Sequence, residues 1–253
     1  MFGICNLSII PLRNENNDRC EMVSQVLFGE HFEVLEQNKQ WSKVKLHYDE
    51  YIGWIDTKQF QEISKVDFEI LSKEELKFNL DLVQFVTNDK NLFLPITLGA
   101  SLSFLNINTI NVDKFTFDGV QISQIKPKTS LIETALLYLN APYLWGGKTP
   151  FGVDCSGFTQ MVYKLNGYKL LRDASQQAGQ GEVLSFIEES EPGDLAFFDN
   201  DEGKIIHVGI LLENNCIIHA SGKVRIDRLD HLGIYNETTQ KHSHRLRVIK
   251  KII

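Results

Sequence analysis

Residues 143–158 read YLWGGKTPFGVDCSGF, a turn-rich stretch with four glycines and one proline. It separates two helical patterns. Before it, Leu131, Ile132, Ala135, Leu136 and Leu139 share one helical face. Ser130 and Glu133 have the spacing of a capping box there, and Pro142 is the stop. After it, Phe158, Met161, Val162 and Leu165 recur at helical spacing, and Gly167 suits the C-terminal cap. Beyond Pro192-Gly193 the chain turns to extended patterns: DLAFFD from residue 194, KIIHVGILL from 204, CIIHA from 216 and KVRID from 223. Helices followed by an antiparallel sheet make an α+β domain, expected over residues 128–253.

Further toward the N-terminus the reading changes. Val23–Leu35 alternates with period two until Gly29-Glu30 breaks it. Trp41–Leu46 (WSKVKL) alternates cleanly, and Tyr51–Ile55 (YIGWI) follows a polar turn. Short strands at this spacing predict a small β-barrel over residues 1–64. Ser72–Val86 carries Leu76, Leu80, Val83 and Val86 near a 3.6-residue period and predicts a helix. Residues 91–125 return to strand-like runs, so 65–127 reads as a second β module or a linker region with a helix.

Composition limits the partners. The 253 residues are 43% hydrophobic and 23% charged, ordinary for a folded chain with a real core. The formal charge of −7, from 26 Lys and Arg against 33 Asp and Glu, disfavours nucleic acid and anionic membranes. The basic cluster Lys241–Lys251 reads as a solvated strand face. The first residues lack the basic start of a secretory leader, so the expected location is cytoplasmic. Four cysteines with no CxxC spacing do not form a disulfide scaffold. The pattern sets no oligomeric state.

A candidate reaction centre emerges from the helix start. Asp154 is placed as N-cap and Cys155 as the first helical residue, where free N–H groups and partial positive charge favour a thiolate. The plain alternative for Cys155 is a small core residue. His207 and His219 lie on neighbouring extended runs joined by Glu213-Asn214-Asn215. If those three residues form the loop, His219 sits opposite Gly209 and His207 becomes its diagonal neighbour on the same face. Two imidazoles so placed suit a base and its orienting partner. Two half-buried core histidines, or a zinc site formed with Cys155, are the rival readings; the zinc site lacks the usual close ligand pairs.

These residues carry a resemblance. The blocks DCSGF, GDLAFF, HVGI and HASG, with RDASQQ between the first two, occur in the order and spacing of the NlpC/P60 family of cysteine peptidases, over roughly residues 128–253. The resemblance implies a papain-like fold with Cys155 as nucleophile, His207 as general base and His219 orienting it. It gives Tyr143 a share in the oxyanion site and makes Trp145 a wall of the substrate groove. It implies no cofactor or metal. The N-terminal part is similar to bacterial SH3 domains, one or two of them. Such modules before this peptidase domain resemble the YkfC-like γ-D-glutamyl-L-diamino acid endopeptidases, which cleave small murein peptides carrying a free N-terminal L-alanine. By that likeness Asp154 meets the substrate ammonium, and Glu21 and Tyr51 close the far end of the groove. Ser156 and Ser175 bind the peptide or its D-glutamate carboxylate, with Arg172 and Asp173 in the same loop. By residue class alone, Glu21 is a surface carboxylate and Tyr51 a barrel-core aromatic. The other functions left open are a wall-peptide binding protein with an idle catalytic domain, and an exported wall hydrolase.

Overall fold

Seven short strands fill most of the first 63 residues: β1 (Phe2–Ile4), β2 (Ile9–Arg13), β3 (Met22–Leu27), β4 (His31–Gln37), β5 (Trp41–Leu46), β6 (Ile52–Asp56) and β7 (Gln61–Ile63). They form one antiparallel sheet in the order β3-β2-β6-β5-β4-β1-β7. Alternate residues of β2, β4 and β5 point inward, so Ile10, Leu12, Phe32, Val34, Val44 and Leu46 share one core with Val26 and Ile55. The computed structural model describes every residue except Thr238. It divides into two compact units, Met1–Gln124 and Ile125–Ile253.

The predicted helix over Ser72–Val86 is not there. The helix is α1 (Lys65–Leu71), which ends just before that stretch begins. Ser64 and Asp67 form a capping box that starts it: the Asp67 N–H donates to Ser64 Oγ at 3.0 Å, and the Ser64 N–H to Asp67 Oδ2 at 3.3 Å. Ser72 Oγ then donates back to the Phe68 carbonyl at 2.7 Å and ends it. Asn79 closes a side-chain turn by accepting from the Asp81 N–H at 3.1 Å. Leu76 and Val83 are exposed, so the apparent helical period found no surface to bury against. The rest of this unit comprises β8 (Phe78–Asn79), β9 (Val83–Asn88), β10 (Phe93–Thr97), β11 (Phe115–Thr116) and β12 (Gln121–Ile122), paired as β10-β9-β11 and β12-β8. Their core, with Val86, Ile96, Leu102 and Phe104, is continuous with Ile4, Phe28 and Ile63 of the first strands.

The second unit opens with α2 (Ser130–Leu136), followed by the hairpin β13 (Lys148–Thr149) and β14 (Gly152–Val153), then α3 (Cys155–Leu165) and α4 (Ala174–Gln177). The capping box expected from Ser130 does not form, because the turn is already helical at Thr129 and the Ser130 N–H donates to the Pro127 carbonyl. The sheet holds β15 (Glu182–Leu184), β16 (Leu195–Asp199), β17 (Ile205–Leu212), β18 (Cys216–Ser221), β19 (Lys223–Asp230), β20 (Gly233–Asn236) and β21 (Lys241–Lys251). Strands β16 to β20 follow in sequence order, and β21 pairs with both β16 and β20, which closes a six-strand ring with β15 beside β21. All of α3 is buried, packed against β17 and β18. Among the described residues no helix is long and apolar enough to cross a membrane.

Candidate active site

Asp154 caps α3 as its side-chain type predicts. Its Oδ1 accepts from the Gly157 N–H at 2.6 Å, and its Oδ2 from the Gly146 N–H at 2.8 Å. A Cβ at Gly157 would overlap the Gly147 carbonyl oxygen, so glycine is what lets the helix mouth close onto the preceding turn. Arg172, fully buried, grips the same carboxylate with both terminal nitrogens: Nη1 to Oδ1 at 3.0 Å and Nη2 to Oδ2 at 2.6 Å. Arg172 Nη1 also donates to Ser156 Oγ at 3.0 Å. Gln177 Nε2 on α4 donates to the Ser156 carbonyl at 3.0 Å. The nucleophile candidate therefore sits on a rigidly tied helix start.

Burial pushes Cys155 up to about 12, and the nearby Asp154 carboxylate adds to the rise. Hydrogen bonds to sulfur from the backbone N–H groups of Val208 and Ser156, and the charge of Arg172, offset only part. Burial thus works against the thiolate that the helix mouth favours. Tyr143 is half-buried near the sulfur; burial, then Cys155 and Asp154, raise its hydroxyl to about 12, so it stays protonated.

The histidine hairpin has the register expected of a three-residue loop: Gly209 faces His219, and β17 ends at Leu212 while β18 begins at Cys216. A Cβ at Gly209 would come 2.9 Å from His219 Cβ and 2.7 Å from Ile217 Cδ1, so glycine makes the room His219 occupies. His207 Nε2 and His219 Nδ1 meet at 2.8 Å. Burial, then the neighbouring His219 and His244, hold His207 well below its ordinary value, so its ring is neutral at pH 7. Val208, whose N–H reaches the sulfur, is the next residue along β17. Among the described residues no hydrogen bond joins the sulfur to an imidazole. Proton transfer between the two needs them to come together in the occupied site, where catalytic hydrogen bonds commonly tighten.

Two further side chains belong here that the sequence reading missed. Asp227 on β19 accepts from His219 Nε2 at 3.0 Å. His244 on β21 stacks on His207 with ring centroids 4.1 Å apart and planes 23° apart. The facing nitrogens of His207 and His219 are spent on each other, which disfavours the zinc arrangement with Cys155. Of the other sequence candidates in this unit, Asp173 is half-buried as the N-cap of α4, Ser175 is exposed on α4, and Trp145 is 59% exposed. Glu21 and Tyr51 belong to the first unit. Glu21 is exposed at the start of β3 and accepts from Asn14 Nδ2 at 3.3 Å, and Tyr51 packs against the strand core.

The profile described as the NlpC/P60 family matches residues 140–244, and that of the bacterial dipeptidyl-peptidase SH3 domain matches 12–60. The γ-D-glutamyl-L-lysine dipeptidyl-peptidase of Bacillus subtilis (strain 168) is 30% identical over 213 residues, covering 78% of this chain and 71% of that protein. The chain belongs to the NlpC/P60 family. As an NlpC/P60 member it is a cysteine peptidase, with an SH3-like β-rich region before its papain-like domain. The enzyme of the same name from Bacillus cereus (strain ATCC 10987) is 27% identical over 230 residues, covering 79% of this chain and 67% of that one. The crystal structure of an NlpC/P60 family protein from Bacillus cereus ATCC 10987 has the same fold, with a TM-score of 0.80 over 100% of this chain and 99% of the other, at 20% identity.

Proposed function

We propose that this cysteine peptidase hydrolyses the γ-D-glutamyl-L-diamino acid bond of small murein-derived peptides with a free N-terminal L-alanine, in peptide recycling in the cytoplasm. The observation that carries the chemistry is the 2.8 Å contact between His207 and His219 on the two strands packed against the helix that a capped cysteine starts. The bond is taken from the Bacillus relatives, whose names specify γ-D-glutamyl-L-lysine. Four free cysteines suit a reducing compartment.

In this reading the Cys155 thiol gives its proton to His207 while sulfur bonds to the γ-carbonyl carbon of D-glutamate. The carbonyl electron pair moves onto oxygen. The Cys155 N–H and the Tyr143 hydroxyl hold that oxyanion, each donor contributing about 3–4 kcal/mol. Collapse expels the amine of the diamino acid, which takes the proton from His207 and leaves a thioester. Water then gives a proton to His207 as its oxygen bonds to the thioester carbon. Sulfur leaves and recovers the proton.

Trp145 walls the groove, and Ser156, Ser175 and Asp173 face the peptide. Asp154 meets the amino end of the peptide only through charge, since Arg172 and two backbone N–H groups already fill its oxygens. The test compares L-Ala-γ-D-Glu-L-Lys, its N-acetylated form and intact sacculi. Fast cleavage of the free tripeptide alone supports the reading. Equal rates with and without acetyl would remove the ammonium role, preference for sacculi would indicate a wall hydrolase, and no cleavage would indicate a binding protein.

A further inference from the structure

Three neighbouring strands place one side chain each in a line. His219 on β18 faces Gly209 on β17 and Arg225 on β19 in register. His207 is two residues from the first and Asp227 two residues from the second, so both are diagonal neighbours of His219. The line is closed by contacts: His207 Nε2 to His219 Nδ1 at 2.8 Å, then His219 Nε2 to Asp227 Oδ2 at 3.0 Å. Arg225 Nη2 donates to Asp227 Oδ1 at 2.7 Å, and its Nε lies 2.6 Å from Oδ2.

We infer that Asp227, held by Arg225, is a positioning residue that fixes which nitrogen of His207 is free to act as base. This rests on the peptidase reading for its catalytic meaning, though the proton arrangement stands without it. An ionised carboxylate can only accept, so His219 must carry its proton on Nε2. In its uncharged form His219 then offers a lone pair at Nδ1. The 2.8 Å contact is a hydrogen bond only if His207 carries its proton on Nε2. His207 Nδ1 is thereby left bare for the thiol proton. Burial works to raise the Asp227 carboxyl, but the hydrogen bonds from His219 and Arg225 outweigh it and keep the group ionised. Once His207 is protonated, Nε2 keeps its bond to His219, and Nδ1 is the nitrogen left for the reacting atoms.

The substitution that reverses the line is Asp227→Asn. Arg225 donors claim the amide oxygen, which turns the amide N–H groups toward His219. His219 must then accept at Nε2 and donate from Nδ1, and His207 must accept at Nε2 and carry its proton on Nδ1. The base is lost without a change in shape. In a serine peptidase triad, the corresponding change costs about 10⁴-fold in kcat through the wrong tautomer. Here an extra ring intervenes, and the expected loss is about 10²-fold or more, with KM held within about twofold.

The experiment is ¹⁵N NMR of histidine-labelled full-length protein at pH 7, without substrate, beside kinetics of L-Ala-γ-D-Glu-L-Lys cleavage. In the native chain both His207 and His219 are expected as Nε2–H tautomers, and in Asp227→Asn both are expected as Nδ1–H with kcat reduced. A native His207 carrying its proton on Nδ1 overturns the inference, and so does an Asp227→Asn protein that keeps the native tautomers and kcat. Should Asp227→Asn fail to fold, the native tautomers and the same readings on Arg225→Gln decide; Arg225→Gln loosens the carboxylate and is expected to mix the tautomers and lower kcat severalfold. The ring spectra are read without turnover. A protein that cleaves no γ-glutamyl peptide would therefore refute the proposed substrate and still report on Asp227.

Discussion

Each unit holds a stack of histidines, and the two stacks are built to different ends. In the first unit His31 lies on His47 with centroids 4.5 Å apart, and both rings meet Phe68 edge-on. His31 Nε2 meets Ser72 Oγ at 3.3 Å. In the second unit His207 lies on His244 at 4.1 Å. Burial lowers His31 to about 4, with His47 adding to the fall and Glu30 opposing it, and burial also leads the lowering of His207. A depressed histidine is thus common to both. The second stack continues from His207 through the ring nitrogens of His219 to the Asp227 carboxylate, and that onward connection is what suits a packed ring to act as a base.

That contrast can be broken by substitution, beginning at the sulfur. Cys155→Ala is expected to lower kcat by about 10⁴-fold or more with an unchanged melting temperature, checked by peptide cleavage and calorimetry. His207→Ala is expected to lose about 10³-fold, the share of a general base. His244→Ala removes the stack on His207 and the edge contacts with Phe198 and His219, each worth about 0.5–1.5 kcal/mol, and is expected to cost about 2–10-fold in kcat; a loss as large as that of His207→Ala would make His244 more than a wall. His31→Phe keeps the ring contact with Phe68 and is expected to leave kcat/KM within about twofold.

The first stack has its own signature in stability. The unfolded chain takes a proton at His31 near pH 6.5, and the folded chain only near 4. Its contribution, about 3 kcal/mol, is complete above 6.5 and is lost as pH falls from 6.5 to 4. His244, lowered to about 4 by burial first and His219 next, acts in the same direction. Calorimetry from pH 7 to 4 is expected to show a shallower fall in melting temperature for His31→Phe than for the native chain. An identical slope would show that His31 is not the buried neutral ring described.

What could be read in the sequence was local. Asp154 before Cys155 is a cap at the mouth of an apolar period, and three polar residues between two extended runs set the register that brings His207 to His219. Asp227 and His244 were hidden because their places depend on the pairing of β19 and β21, which no single strand pattern reveals. Arg172 was legible only as a loop residue, since its burial against Asp154 is tertiary. The helix placed over Ser72–Val86 failed for the converse reason: a suggestive period lost to the stronger local chemistry of Ser64, Asp67 and Ser72.

The central claim is that Cys155 carries the acyl group. The direct measurement is intact mass and peptide mapping of protein quenched in acid during turnover of L-Ala-γ-D-Glu-L-Lys. The account predicts an L-Ala-D-Glu acyl group, joined through its γ-carbonyl, on the peptide containing Cys155. Full-rate turnover with Cys155 unmodified, and with Cys155→Ala as active as the native chain, would contradict it.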